Sequence, residues 1–185
     1  GVEDILLALP RLYREEGGRV ELLRELQRRG GEAEKQKKAA LLCRLHWAQG
    51  HMQPEDKARL AQADFMMAAQ HLNVEKANPR VTIDCADGSR AAGSKLRAAE
   101  LYRDLLKWQP RAVEVERAHA GLGFLAAEGG DWEAALSHFE AFAKRSVTPS
   151  LAEEVALKKA ELLADHRRLE EALEIYKDLL ANKLT

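Results

Sequence analysis

The sequence predicts an all-α protein built by repetition, and three observations predict it. Small and aromatic residues recur in pairs four positions apart, Ala61/Phe65, Ala98/Tyr102, Ala135/Phe139 and Ala172/Tyr176, each pair 37 residues after the last. A second pair follows each at a constant distance, as Ala68-Ala69, Leu105-Leu106, Phe142-Ala143 and Leu179-Leu180. Between these marks the apolar residues fall at helical spacing, so each unit is a helix that shares one face with its neighbours. Self-similarity at such a period belongs to a stacked solenoid, in which length counts repeats. The expectation is one solenoid over residues 1–185, of about five helical hairpins.

Composition narrows the function classes. Lys and Arg number 29 against 30 Asp and Glu, for a net charge of -1. That balance supplies no basic field for nucleic acid. No apolar run approaches the roughly 20 residues of a membrane span. The chain opens on Gly1-Val2 without Met, which fits the cytoplasm or, with a signal peptide removed, the periplasm. Two cysteines are too few for a disulfide framework, and Cys43 in a helix and Cys85 in a loop are expected as free thiols.

Taken in order, Ile5, Leu6, Leu9 and Leu12 mark a first helix over residues 2–16, with Glu3 and Asp4 in its first turn and Pro10 kinking or restarting it. Gly17-Gly18 reads as a turn, and Val20, Leu22, Leu23 and Leu26 as a second helix that stops at Gly30-Gly31. A third runs from Glu32 to about Gly50 through Ala39, Leu42, Cys43, Leu45 and Trp47. Pro54, Glu55 and Asp56 suit the first turn of a fourth, which reaches about Leu72. Residues 73–90 read as an irregular insertion: Asn78-Pro79 and Asp87-Gly88 are turn signals around the β-branched Val81-Thr82-Ile83. Leu96, Ala99, Tyr102, Leu105 and Leu106 then stripe a helix ending before Pro110.

The helix from Arg111 to Glu128 carries Gly121 and Gly123 in its interior, where glycine costs about 1 kcal/mol against alanine, so close packing of a partner helix is expected there. That partner is Trp132 to Ser146. After Thr148-Pro149-Ser150, a capping box of Ser150 with Glu153 opens a helix to Asp165, paired with Leu169 to Ala181.

Leu122-Gly123, Gly130-Asp131-Trp132, Ala135, Phe139 and a proline near the unit's end resemble the tetratricopeptide repeat, best from Ser94 onward and fairly from Ala39 to Leu72. The step of 37 exceeds that family's usual length of about 34. Phe139-x-x-Phe142 with Thr148-Pro149-Ser150 is similar to the variant in bacterial envelope proteins, namely the periplasmic coordinator of the Tol-Pal system and the lipoprotein of outer-membrane barrel assembly. The resemblance implies a right-handed superhelix of antiparallel helix pairs whose first helices line a concave groove for a peptide or protein. Carried over position by position, that groove would present Cys43, His46, Arg80, Ile83, Arg117, Ala120, Phe124, Glu154, Leu157 and Glu161. Chaperone-binding members grip a C-terminal carboxylate with Lys and Asn. Ala120, Gly121 and Phe124 stand in those places here, so a chaperone-tail receptor is not expected.

Chemistry is sparse. Cys43-x-x-His46, with His51 beyond, offers ligands from one helix face, but a structural zinc site takes four and no second pair completes it. His119, His138 and His166 are scattered over separate helices. No HExxH, phosphate-cradling glycine loop or nucleophile elbow appears, so neither a metal, a cofactor nor an enzyme is expected. Lys35, Lys37 and Lys38 read as a solvated helix face. Of the tryptophans, Trp47, Trp108 and Trp132 suit partner anchoring, with Trp132 expected in the core and Trp108 the most exposed.

The expected function is a protein-interaction scaffold, with Phe124 as the leading contact. A different class is self-assembly, because the last helix carries Leu173, Tyr176 and Leu180 on a face that a homodimer or further repeats would cover. A third is a regulatory domain of a larger enzyme.

Overall fold

In a computed structural model, which describes residues 16–108, 110–145 and 148–183, every regular element among the described residues is a helix. The helix expected over residues 2–16 falls almost wholly outside them. The chain divides into two compact units, Gly1–Pro110 and Arg111–Thr185.

The first unit holds α1 (Glu16–Lys35), α2 (Ala39–Met52), a 3-10 turn (Glu55–Lys57), α3 (Ala58–Gln70), α4 (Pro79–Ala91) and α5 (Lys95–Trp108). Each helix packs on the next, and α2 also touches α4. The second holds α6 (Val115–Glu128), α7 (Trp132–Ala143), α8 (Pro149–Asp165) and α9 (Leu169–Lys183). Here α7 packs on α6 and α8, α6 touches α8, and α9 packs on α8.

Three boundaries depart from expectation. Gly17-Gly18 and Gly30-Gly31 neither turn nor stop the chain: both lie inside α1, which continues to Lys35. Glu25 pairs with Arg28 and Arg29, and Arg28 with Glu32, at the three- and four-residue spacings that support a helix against its glycines. The two guanidiniums hold the Glu25 carboxyl down at about 2.

Residues 79–91 are the second departure, a regular helix rather than an irregular insertion. Asn78 caps it by accepting the Arg80 amide at 2.9 Å, and Pro79 sits at the first turn, where its missing N–H costs nothing. Val81 to Ala86 are buried without interruption, so burial on all sides overrides the β-branched preference. Cys85 therefore lies in a helix, not a loop.

Thirdly, Ser150 is not a cap but already inside α8. Thr148 is the N-cap residue, and its hydroxyl leaves the helix end to donate to Glu116 Oε1 at 2.6 Å, tying the start of α8 to α6.

The 37-residue step is also a backbone repeat. The turns α4–α5, α6–α7 and α8–α9 place Gly93, Gly130 and Arg167 in the left-handed region, at φ of 81°, 82° and 62°. One amide further on, each turn closes the same way: Ser94 N–H to Ser89 O, Asp131 to Ala126 and Arg168 to Leu163, at 2.8, 2.9 and 2.8 Å. These are helix-ending bonds that satisfy orphan carbonyls and reverse the chain.

In two of the pairs an aromatic residue of the second helix fills the space left by glycine. A Cβ on Gly123 would stand 2.4 Å from the Phe139 ring, which is why that interior glycine is tolerated. In the first unit Phe65 lies against both Gly50 and Gly88. Gly88 is thus a packing residue rather than a turn signal.

Candidate functional site

The residues expected to line a groove separate into two groups. Cys43, Ile83, Ala120 and Phe124 are buried. Phe124, the leading candidate, is 7% exposed and meets Phe139 edge-on at 5.4 Å between ring centroids. It is core, and a charge placed there would be buried without a partner. His46 is half-buried, its Nδ1 3.1 Å from Gln49 Oε1 and its ring stacked on His71. Arg80 is exposed and Arg117 half-buried.

On α8, Glu154 and Leu157 are exposed, and Glu161 pairs with Lys158 at 2.9 Å. Spaced by three and four, these form one outward strip of that helix. The tryptophans also sort themselves. Trp47 is core, Trp132 is half-buried and stacked on His166 at 4.3 Å, and Trp108 is exposed with the Lys107 amine over its ring.

A groove of about 750 Å³ in the second unit is bounded by α7, α8 and α9. Phe142, Val155, Ile175 and Leu179 give it an apolar lining, with Ala152 and Ala156 keeping it open, while Glu153, Lys159 and Asp178 supply charge. Phe142 and Leu179 belong to the recurring second pairs of the repeat, whereas the sequence does not single out Val155 and Ile175. Phe142 and Val155 are buried at the floor of the groove, and Ile175 and Leu179 are half-buried. A smaller pocket of about 410 Å³ in the first unit takes in Cys43 with Arg44, His71, Lys76 and Val81.

Sequence reasoning missed a buried polar cluster in the first unit. Asp84, on α4, accepts from the Trp47 indole N–H at 3.1 Å and lies 2.9 Å from His51 Nε2, both of them on α2. His51 in turn meets the rings of Trp47 and Phe65 edge-on. Asp84 is 9% exposed, and its partners satisfy a carboxylate that would otherwise be costly to bury. A signal existed: the acid interrupts a buried apolar run, one repeat step after Trp47.

Nearby, Cys43 and Cys85 are buried and not joined in a disulfide. The Cys85 thiol is pushed far up, first by its hydrogen bond with Cys43 and then by burial, which removes the thiolate that reactive cysteines need. In the second unit, His119 and His138 approach through their Nδ1 atoms at 3.2 Å. Burial lowers the His119 pKa, with the charges of His138 and Arg145 adding to it. Among the described residues no group of three or more His, Cys, Asp or Glu comes together to hold a metal ion, and no helix is long and apolar enough to cross a membrane.

No protein-family model matches the chain, and no curated protein matches it.

Proposed function

We propose that the chain is a protein-interaction module, a tetratricopeptide-like superhelical stack that holds a peptide or protein partner and carries out no turnover. The observation that supports this reading best is the α7–α8–α9 groove, whose volume suits several apolar side chains and whose lining is apolar with a few charges. Groove contacts of this kind derive specificity from the charged groups, here Glu153, Lys159 and Asp178, and affinity from the apolar floor. The outward strip of Glu154, Leu157 and Glu161 on α8 is the competing face, the one carried over from the family resemblance.

A photo-crosslinking residue at Ala156, inside the groove, is compared with one at Glu154, on the strip. A discrete adduct from Ala156, lost when Ile175 is replaced by Asp in a folded chain, is the expected result. Adducts from Glu154 alone would move the site to the strip, and none from either position would remove the binding reading from this unit.

A further inference from the structure

In the second unit, α9 carries a bare apolar stripe. Leu169, Leu173 and Leu180 are 63%, 52% and 62% exposed, and Tyr176 between them is half-buried. One repeat step earlier, the equivalents of Leu173 and Tyr176 are Leu136 and Phe139, both buried within α7's packing against α6 and α8. The stripe is distinct from the groove, which takes Ile175, Asp178 and Leu179 from another side of α9.

The four stripe residues are spaced by 4, 3 and 4. That is the seam of a two-helix coiled coil, narrower than the face a helix turns to a globular core. Beside the seam on its solvent side lie Glu170 and Lys177, both exposed, two turns apart and opposite in charge. An antiparallel second copy of α9 sets Leu169 against the partner's Leu180 and Leu173 against the partner's Tyr176. In that register the flanking positions coincide as well: Glu170 meets the partner's Lys177, and Lys177 meets the partner's Glu170. A parallel pair offers no such match, because Lys177 would then face the position of Ala172.

We propose that the occupant of this face is a second copy of the chain, joined through α9 in a two-fold antiparallel pair that Glu170 and Lys177 specify. The interface is isologous, so it closes on itself as a dimer. It goes beyond the binding of a foreign partner.

The test is sedimentation equilibrium of the full chain over a concentration series, with circular dichroism to verify folding. Wild type is expected at twice the 20.7 kDa of one chain. Lys177→Glu and Glu170→Lys each place like charges across the pair and should raise the dissociation constant at least tenfold. The double variant Glu170→Lys/Lys177→Glu restores opposite charges and should recover the dimer. Leu173→Glu, at an exposed position, should give monomer. A wild type that remains monomeric overturns the proposal. So does a dimer that ignores the single reversals, or one that the double reversal fails to restore in a folded chain.

Discussion

Alanine in place of helix-interior glycine should act with opposite sign at two positions of the same unit. Gly31 lies in the interior of α1, and a Cβ there would have nothing within 4 Å. Gly31→Ala therefore gains the helix propensity difference, about 1 kcal/mol, with nothing to set against it. Gly88 lies in α4, and its added Cβ would stand 2.4 Å from the Phe65 Cβ, a full ångström inside the 3.4 Å where ordinary contact begins. A Cβ is fixed to its backbone, so no rotamer change of Phe65 relieves the clash and α3 itself must shift. Overpacking of this kind costs about 1–3 kcal/mol. At the upper end, where a backbone must move, the propensity gain offsets only part, and Gly88→Ala should destabilise by about 2 kcal/mol.

Gly50 separates this mechanism from a general intolerance of alanine. Its Cβ would meet ring atoms of Phe65, the nearest at 2.7 Å. Phe65→Leu, which removes the two nearest of those ring atoms, Cε1 and Cζ, and keeps the Cβ, should thus relieve much of the Gly50→Ala penalty and leave Gly88→Ala uncorrected. Urea unfolding followed by circular dichroism, on single and double variants, gives the coupling energies. A stabilised or neutral Gly88→Ala, or rescue of it by Phe65→Leu, would refute the reasoning.

Three further outcomes follow from single contacts. Arg167 occupies the left-handed site that Gly93 and Gly130 fill in the other turns, so Arg167→Gly should raise stability by up to about 1 kcal/mol and Gly130→Ala should lower it by about 1, read by thermal melts. Asp84→Ala strands the buried Trp47 indole N–H and should cost about 2–3 kcal/mol in urea unfolding, whereas Asp84→Asn keeps an acceptor and should cost less. Because the folded His119 pKa lies below its ordinary 6.5, the unfolded chain takes up the proton first. Stability should then be fully present above that value and fall as pH drops through it, with His119→Gln flattening the slope in pH-dependent urea titrations.

The repeat was legible because its marks sit on the second helix of each pair, where an alanine and an aromatic four residues later share one face. The glycines were ambiguous because one residue type serves two purposes here. Gly93 and Gly130 supply a left-handed turn, while Gly88 accommodates Phe65 from another helix. Nothing within a few residues of Gly88 tells the two apart. The same long-range dependence explains the misplaced helix boundary at Asn78-Pro79, which is a turn signal and a helix-start signal at once. What decides between them is whether the following residues are buried on every side, as Val81 to Ala86 are.

The candidate site follows the same logic with a different outcome. Position-by-position transfer selected Cys43, Ile83, Ala120 and Phe124 because they fall on the first helix of each pair, but those positions are buried against neighbouring helices. Of the α8 residues expected in the groove, Leu157 stays exposed, one repeat step after the buried Ala120. Leu173 and Tyr176 show the same relation to Leu136 and Phe139 in the second helices. Equivalent positions thus share a register but not an environment. Comparing equivalent positions for burial sets the exposed Leu169, Leu173 and Leu180 of α9 apart from the buried Cys43, Ile83, Ala120 and Phe124, a distinction that repeat register alone does not draw.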